Sequence, residues 1–198
     1  AWTEINVPQR PFEIENVDTV TVPLAQSGYT TEYLRYRITI NDRPNETNYY
    51  RIVIDKQTTL WGYNHEEGGD DYIYWTKHSY NFIGREDVVL TDGQPTTGDD
   101  EDNGLFDTAK NIYGVFDDTR FRNTSYTMTV YNNTKIETGS DSGYFSGMDV
   151  IIRLMSITET EYYYLKALNL VDSDAYDETI NEPIKYPSNV HGGTGMVG

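Results

Sequence analysis

Leu34, Tyr36, Ile38 and Ile40 alternate with Arg35, Arg37 and Thr39. A β-strand points successive side chains to opposite faces, so this run predicts a strand with one apolar and one polar face. Tyr50, Ile52 and Ile54 repeat the pattern. Tyr126, Met128 and Val130 repeat it again, set against Thr127, Thr129 and Tyr131. Further strands are expected over residues 19–24, 72–77, 88–90 and 150–157. The last is apolar on both faces (Val150, Ile151, Ile152, Leu154, Met155), which predicts a central strand.

Turn chemistry separates these runs: Asn41-Asp42-Arg43-Pro44-Asn45, Gly68-Gly69-Asp70-Asp71 and Thr91-Asp92-Gly93-Gln94-Pro95. Such residues supply positive φ, a fixed φ or a local side-chain turn. Many short strands with frequent turns predict a mainly β fold, an antiparallel β-sandwich or barrel. One α-helix is expected in the C-terminal region, over about residues 158–170. Thr158 can cap it, Glu161 stands where a capping box needs it, and Ile157 with Tyr162 suits a hydrophobic staple. Tyr162, Leu165 and Leu168 then share a sheet-facing stripe from which Lys166 points away. No Pro/Ser-rich linker and no internal repeat interrupts the chain, so residues 1–198 read as a single β-rich domain.

Composition changes this picture little. Hydrophobic residues make up 37% of the 198, below the usual share of about 45–50%. The 18 Tyr and 3 Trp offset the deficit, because each large ring buries much apolar area. Charge changes more. A formal net charge of −17 repels nucleic-acid backbones and anionic membrane surfaces, which are bound through Lys and Arg. It suits solubility, divalent cations or cationic partners. The absence of Cys excludes disulfides, thiolate catalysis and Cys-based metal sites. No stretch approaches the ~20 apolar residues of a transmembrane helix. The chain opens at Ala1 without a signal peptide, as expected of a trimmed or mature product.

Candidate chemistry is sparse. Trp61, Tyr63, Tyr72, Tyr74 and Trp75 flank one loop and could form a hairpin, with Tyr72 and Tyr74 on one face and Ile73 and Trp75 on the other. Exposed rings of this kind stack on sugar faces or grip peptide side chains; core packing is the plainer alternative. Asp99, Glu101 and Asn103 occupy the first, third and fifth positions of a calcium-loop pattern, with Gly104 at the sixth. The twelfth is Lys110, where a bidentate Glu is required. An irregular calcium site and a solvated acidic loop both remain open there, and no other cofactor is indicated.

His65, Glu66, Glu67, Asp70 and Asp71 crowd another loop, but no His-x-x-x-His spacing supports a transition metal. The run 193–198 satisfies G-x-G-x-x-G, yet it is followed by neither a helix nor a downstream acid. A glycine-rich terminal strand or turn explains it. No G-x-S-x-G, H-E-x-x-H or Walker loop is present.

Several runs carry a family resemblance. Residues 156–165 resemble an IS-x-x-YY-x-YL helix. Glu182-Pro183, Tyr186-Pro187-Ser188-Asn189-Val190 and the closing run 192–198 resemble a family terminus of the form EP … YSNI-x-GG-x-G-I-F-G. Asn48-Tyr49-Tyr50-Arg51 and Phe116-Asp117-Asp118-Thr119-Arg120-Phe121 match upstream, in order. Over about residues 19–198 the chain is similar to a Bacteroidetes family of envelope lipoproteins of unknown function, commonly encoded beside TonB-dependent receptors. Members usually carry an N-terminal lipoprotein signal with a lipidated Cys and an immunoglobulin-like or prealbumin-like domain, so this chain corresponds to their C-terminal portion.

The resemblance implies an outer-membrane location through a lipid anchor not in this chain, on the cell surface or the periplasmic face. It also implies a TonB-dependent receptor or another outer-membrane lipoprotein as partner. Asp18-Thr19-Val20 and Asp107-Thr108-Ala109 fit the O-glycosylation pattern of that phylum, while Asn45-Glu46-Thr47, Asn123-Thr124-Ser125 and Asn132-Asn133-Thr134 would be silent N-glycosylation runs in a bacterium. The expected function is a non-enzymatic accessory or binding lipoprotein of a nutrient-uptake system, taking a glycan or peptide ligand. A structural or adhesive surface module and a cryptic hydrolase, built on His78 or His191 with a Ser and a carboxylate, are the alternatives.

Overall fold

The computed structural model describes residues 13–23, 30–43, 45–64, 71–80, 82, 84, 87–93, 111–133 and 144–171. In chain order the elements are β1 (Glu13–Pro23), β2 (Thr30–Asn41), β3 (Tyr49–Asn64), β4 (Asp71–Ser79), β5 (Val115–Asp117), β6 (Ser125–Asn133), β7 (Tyr144–Ile157) and α1 (Glu159–Val171). Their strands form two sheets, and every pairing is antiparallel. The first has the order β1-β2-β6. The second is organised by β3, which pairs with β7 from Tyr49↔Ile157 to Trp61↔Tyr144. Its other edge is shared, by β5 at Tyr49–Arg51 and by β4 at Lys56–Asn64.

The residues between those two partners are not left bare. The Ile52 N–H donates to the Gly114 carbonyl at 2.8 Å. Gly114 holds φ at 64°, and a Cβ there would run into the Ile52 carbonyl oxygen, so the close approach requires glycine.

The alternating apolar residues meet between the sheets. Tyr36, Ile38 and Ile40 of β2, Tyr50, Ile52 and Ile54 of β3, Phe116 of β5, and Met128 and Val130 of β6 form one buried cluster with Val89, Leu90 and Phe121. Two sheets facing each other across one core make a sandwich. On the opposite face of the second sheet, Val115 and Ile157 pack under Tyr162 and Leu165 of α1, with Tyr49, Met155 and Leu168 around them. The helix is thus a third layer over one end of the sheet. Its start follows the expected chemistry: the Glu161 N–H donates to Thr158 Oγ1 at 3.1 Å, which satisfies one of the amides a helix start leaves unpaired. Ile157 and Tyr162 lie together in the same cluster, as a staple places them.

Several expectations are corrected. Residues 88–90 are a turn rather than a strand. Asp87 Oδ1 accepts the Val89 and Leu90 N–H groups at 3.0 and 3.3 Å, curling the segment into an Asx-type turn. Among the described residues β7 pairs with β3 alone, so it is not a central strand there. Its double apolar pattern has another cause: Val150, Ile152 and Leu154 face the sandwich core, while Met155 and Ile157 belong to the helix-side cluster. Lys166 does not point away from the packing. Its Nζ lies 5.0 Å above the Tyr162 ring and donates to Asp92 Oδ2 at 2.7 Å, tying α1 to the turn at residues 87–93.

Candidate functional site

Odd-numbered residues of β3 point away from the sandwich, and register extends that face to its neighbours. From the covered end outward, the cross-strand rows run Ile157–Tyr49–Asp117, Met155–Arg51–Val115, Arg153–Val53, Ile151–Asp55, Asp149–Gln57–His78, Gly147–Thr59–Thr76 and Tyr144–Trp61–Tyr74. Helix α1 covers the first rows. There the Tyr49 and Tyr162 rings lie 4.9 Å apart, Tyr49 Oη donates to Glu159 Oε1 at 3.0 Å, and Tyr162 Oη donates to Asp117 Oδ2 at 3.2 Å. Burial pushes the Tyr162 phenol up to about 12.

Asp55 holds the middle of the face. Its carboxylate is almost fully buried because longer side chains close over it. His78 Nδ1 meets Oδ1 at 2.9 Å, Gln57 Nε2 donates to Oδ2 at 2.8 Å, and an Arg153 guanidinium nitrogen stands 3.7 Å from Oδ2. Burial alone would raise the Asp55 pKa. The hydrogen bonds from Gln57 and His78 and the charges of His78 and Arg153 outweigh it and hold the carboxyl below 3.8. The groups that cover Asp55 remain open to solvent, the His78 and Arg153 side chains being 45% and 48% exposed.

The far end is bare. Tyr72, Tyr74 and Tyr144 are 58%, 64% and 60% exposed. Trp61, half-buried, anchors them: its ring stacks on Tyr144 at 4.7 Å and 28°, and tilts against Tyr72 at 5.4 Å. Between these rings and the Asp55 group lies a floor of Thr59, Thr76 and Gly147, where even an added Cβ at Gly147 would touch nothing within 4 Å. On the backs of the same strands Leu60 is buried and Trp75 packs against Gly62, while Ile73 and Phe145 remain 45% and 50% exposed.

The hairpin expected from the aromatic run therefore forms, with Tyr72 and Tyr74 on the outer face and Ile73 and Trp75 on the inner. Tyr63 pairs in register with Tyr72, its side chain lying outside the described residues. Tyr144 and Asp55 were not singled out in the sequence, whereas His78 was named there with an unspecified carboxylate. Tyr144 arrives from β7, and the Asp55–His78 contact joins residues 23 positions apart. Strand register is the signal that unites them, and it is read only once the pairing is known.

Asp99, Glu101 and Asn103 lie outside the described residues, as do His65–Glu67, Asp70, Asp107–Ala109, His191 and the closing run 182–198. Among the described residues no group of His, Asp or Glu side chains converges as metal ligands, and no helix is long and apolar enough to cross a membrane.

Other buried acids hold the fold. Asp118 Oδ2 accepts the Asn48 N–H at 2.7 Å and its Nδ2 at 3.0 Å, and Asp42 Oδ2 accepts the Asn123 N–H at 2.7 Å. The Asp118 bonds join the motifs at residues 48–51 and 116–121, whose strands also pair at Tyr49↔Asp117 and Tyr50↔Phe116. Asp87 Oδ2 accepts Tyr126 Oη and the Thr129 N–H at 3.0 and 2.9 Å, and burial raises its pKa despite these bonds. Two shallow cavities lie away from the aromatic end. One, of about 270 Å³, is lined by Arg51, Val53, Tyr80, Phe82 and Ile112, and the other, of about 470 Å³, by Val89, Asp92, Asp117 and Arg120.

A match to the domain of unknown function DUF4249 runs over residues 1–198, a wider span than the motifs cover. The chain belongs to the DUF4249 family. No curated protein and no solved structure matches it. Family membership thus brings no assigned residue, and the described face is the basis for a functional reading of this DUF4249 member.

Proposed function

We propose that this domain works by contact rather than by bond-making, as a non-enzymatic accessory or binding lipoprotein of a TonB-dependent nutrient-uptake system at the outer membrane. The observation that carries the contact reading is the row of exposed rings, Tyr72, Tyr74 and Tyr144 around Trp61, at the end of the sheet face that the helix leaves uncovered. Large rings are ordinarily spent on the interior, and a cluster left in water marks a binding surface. The outer-membrane setting, the lipid anchor and the importer partner are supported by the resemblance of the motifs at residues 48–51, 116–121, 156–165 and 182–198 to envelope lipoproteins encoded beside TonB-dependent receptors.

A pull-down from envelope membranes with the intact lipidated protein tests the setting. Copurification of a TonB-dependent receptor is expected. Recovery of the protein alone, together with indifference to a panel of glycans and peptides, would remove the reading.

The Asp55–His78 pair favours one alternative, the cryptic hydrolase. A buried carboxylate on Nδ1 is how a hydrolytic histidine is oriented. Among the described residues, however, no Ser or Thr hydroxyl is hydrogen-bonded to His78, and the ring lies open on a flat sheet face. The pair suits anchoring of a polar ligand better than activation of a nucleophile.

A further inference from the structure

We infer that the bare outer face of the second sheet takes a neutral carbohydrate chain, stacked on Trp61, Tyr74 and Tyr144 and hydrogen-bonded by His78, Gln57 and Arg153. The inference rests on the contact reading above and adds its ligand class.

Shape comes first. From Trp61 to Asp55 along β3 is about 20 Å at the usual rise of a strand, and the surface between is a floor of Thr59, Thr76 and Gly147, small side chains beside open space. Cavities of about 270 and 470 Å³ on the same domain are lined by other residues. An apolar peptide side chain wants a pocket, whereas a pyranose ring presents a flat C–H face that suits the flat face of an indole or phenol.

Chemistry at the other end agrees. His78, Gln57 and Arg153 are planar polar groups, and each is oriented by the same buried Asp55 carboxylate. Their remaining nitrogens and oxygens face water as a fixed array of donors and acceptors, the arrangement that matches neighbouring hydroxyls. Preorganisation by Asp55 lowers the entropy lost on binding.

Charge then selects among carbohydrates. Along the strip Asp55 and Asp149 stand beside the Arg153 guanidinium, and the chain as a whole carries −17. A polyanion would be repelled by that field. A neutral chain of hydroxyl-bearing rings fits both halves of the face.

Affinity electrophoresis of the folded domain in gels containing soluble neutral glucans, mannans or xylans tests this, with an acidic polygalacturonate and a panel of unstructured peptides as further arms. Retardation by at least one neutral polysaccharide is expected. Trp61→Ala should weaken it about tenfold, as loss of a stacking ring does. Tyr74→Ala, a change at an exposed ring, should weaken it as well, so the test survives if the Trp61 variant misfolds. His78→Ala should weaken it less, and Tyr163→Ala on α1 should leave it unchanged. Retardation by polygalacturonate alone, or by a neutral polysaccharide equally in the Trp61 and Tyr74 variants, overturns the inference. Binding of peptides that Tyr74→Ala abolishes overturns the carbohydrate assignment but keeps the contact reading. Failure of the face to bind either class overturns the inference, and the contact reading falls with it if the envelope pull-down also recovers the protein alone.

Discussion

Tyr49 and Trp61 lie on one strand and one sheet face, yet meet opposite surroundings. At the Tyr49 end the ring packs on Tyr162, its hydroxyl is taken by Glu159, and α1 leaves it partly buried. At the Trp61 end the neighbouring rings of Tyr72, Tyr74 and Tyr144 stand in solvent. The same residue class at the same parity therefore serves different purposes. Where a helix follows directly, as α1 follows β7, the rings become part of the core. Where β3 and β4 run on past the helix, the rings are held in place by register and by one another, and they stabilise little that water could not replace.

The largest test of this contrast is truncation at the two ends. Tyr162 is 2% exposed, and Tyr162→Ala should lower unfolding stability by about 3 kcal/mol, as large-to-small changes in cores do. The urea midpoint reads it. Tyr74→Ala should shift the same midpoint by less than about 0.5 kcal/mol, as surface changes do. Equal effects would break the comparison.

Next in size is Asp118, which pins the start of β3 to the β5 segment. Asp118→Ala leaves the Asn48 N–H and amide buried without their acceptor, so a loss of about 2 kcal/mol is expected. It should appear as faster amide exchange at residues 48–51 before residues 72–79. Thr158→Ala removes the cap of α1 and should lower stability by about 1 kcal/mol, with helix amides exchanging first.

The smallest effect sharpens the middle of the face. The Asp55 pKa is depressed in the folded state below its ordinary 3.8. An acid so depressed contributes stability that is present above its unfolded pKa and lost as pH falls through the folded one. The contribution should therefore be intact at neutral pH and disappear below about pH 4. Asp55→Asn should flatten that part of the acid limb relative to the parent protein. An unchanged limb would show that His78, Gln57 and Arg153 do not stabilise the carboxylate.

Much of this was legible beforehand. Period-two alternation located β2, β3 and β6, because each has one buried face and one wet face, and local capping chemistry located α1. The turn at residues 88–90 misled, since three apolar residues carry no usable period and the Asp87 carboxylate decides their backbone. β7 misled for a different reason: apolar residues at both parities record two covers, a sandwich and a helix, rather than neighbours on both edges. The aromatic hairpin was visible as ring-bearing runs around a polar loop. The part Asp55, His78, Arg153 and Tyr144 play could not be read in the same way, because it depends on which strand lies beside which and in what register.

The central claim is that the outer face of β3 is divided between folding and contact. The most direct measurement is the urea midpoint of the Tyr74→Ala, Tyr144→Ala double variant, both rings being exposed, beside that of Tyr162→Ala. The account predicts that the double variant stays within about 1 kcal/mol of the parent, the scale of exposed aromatic pairing, while the single helix variant falls well below it. A double variant as unstable as Tyr162→Ala would mean that the bare rings hold the fold after all.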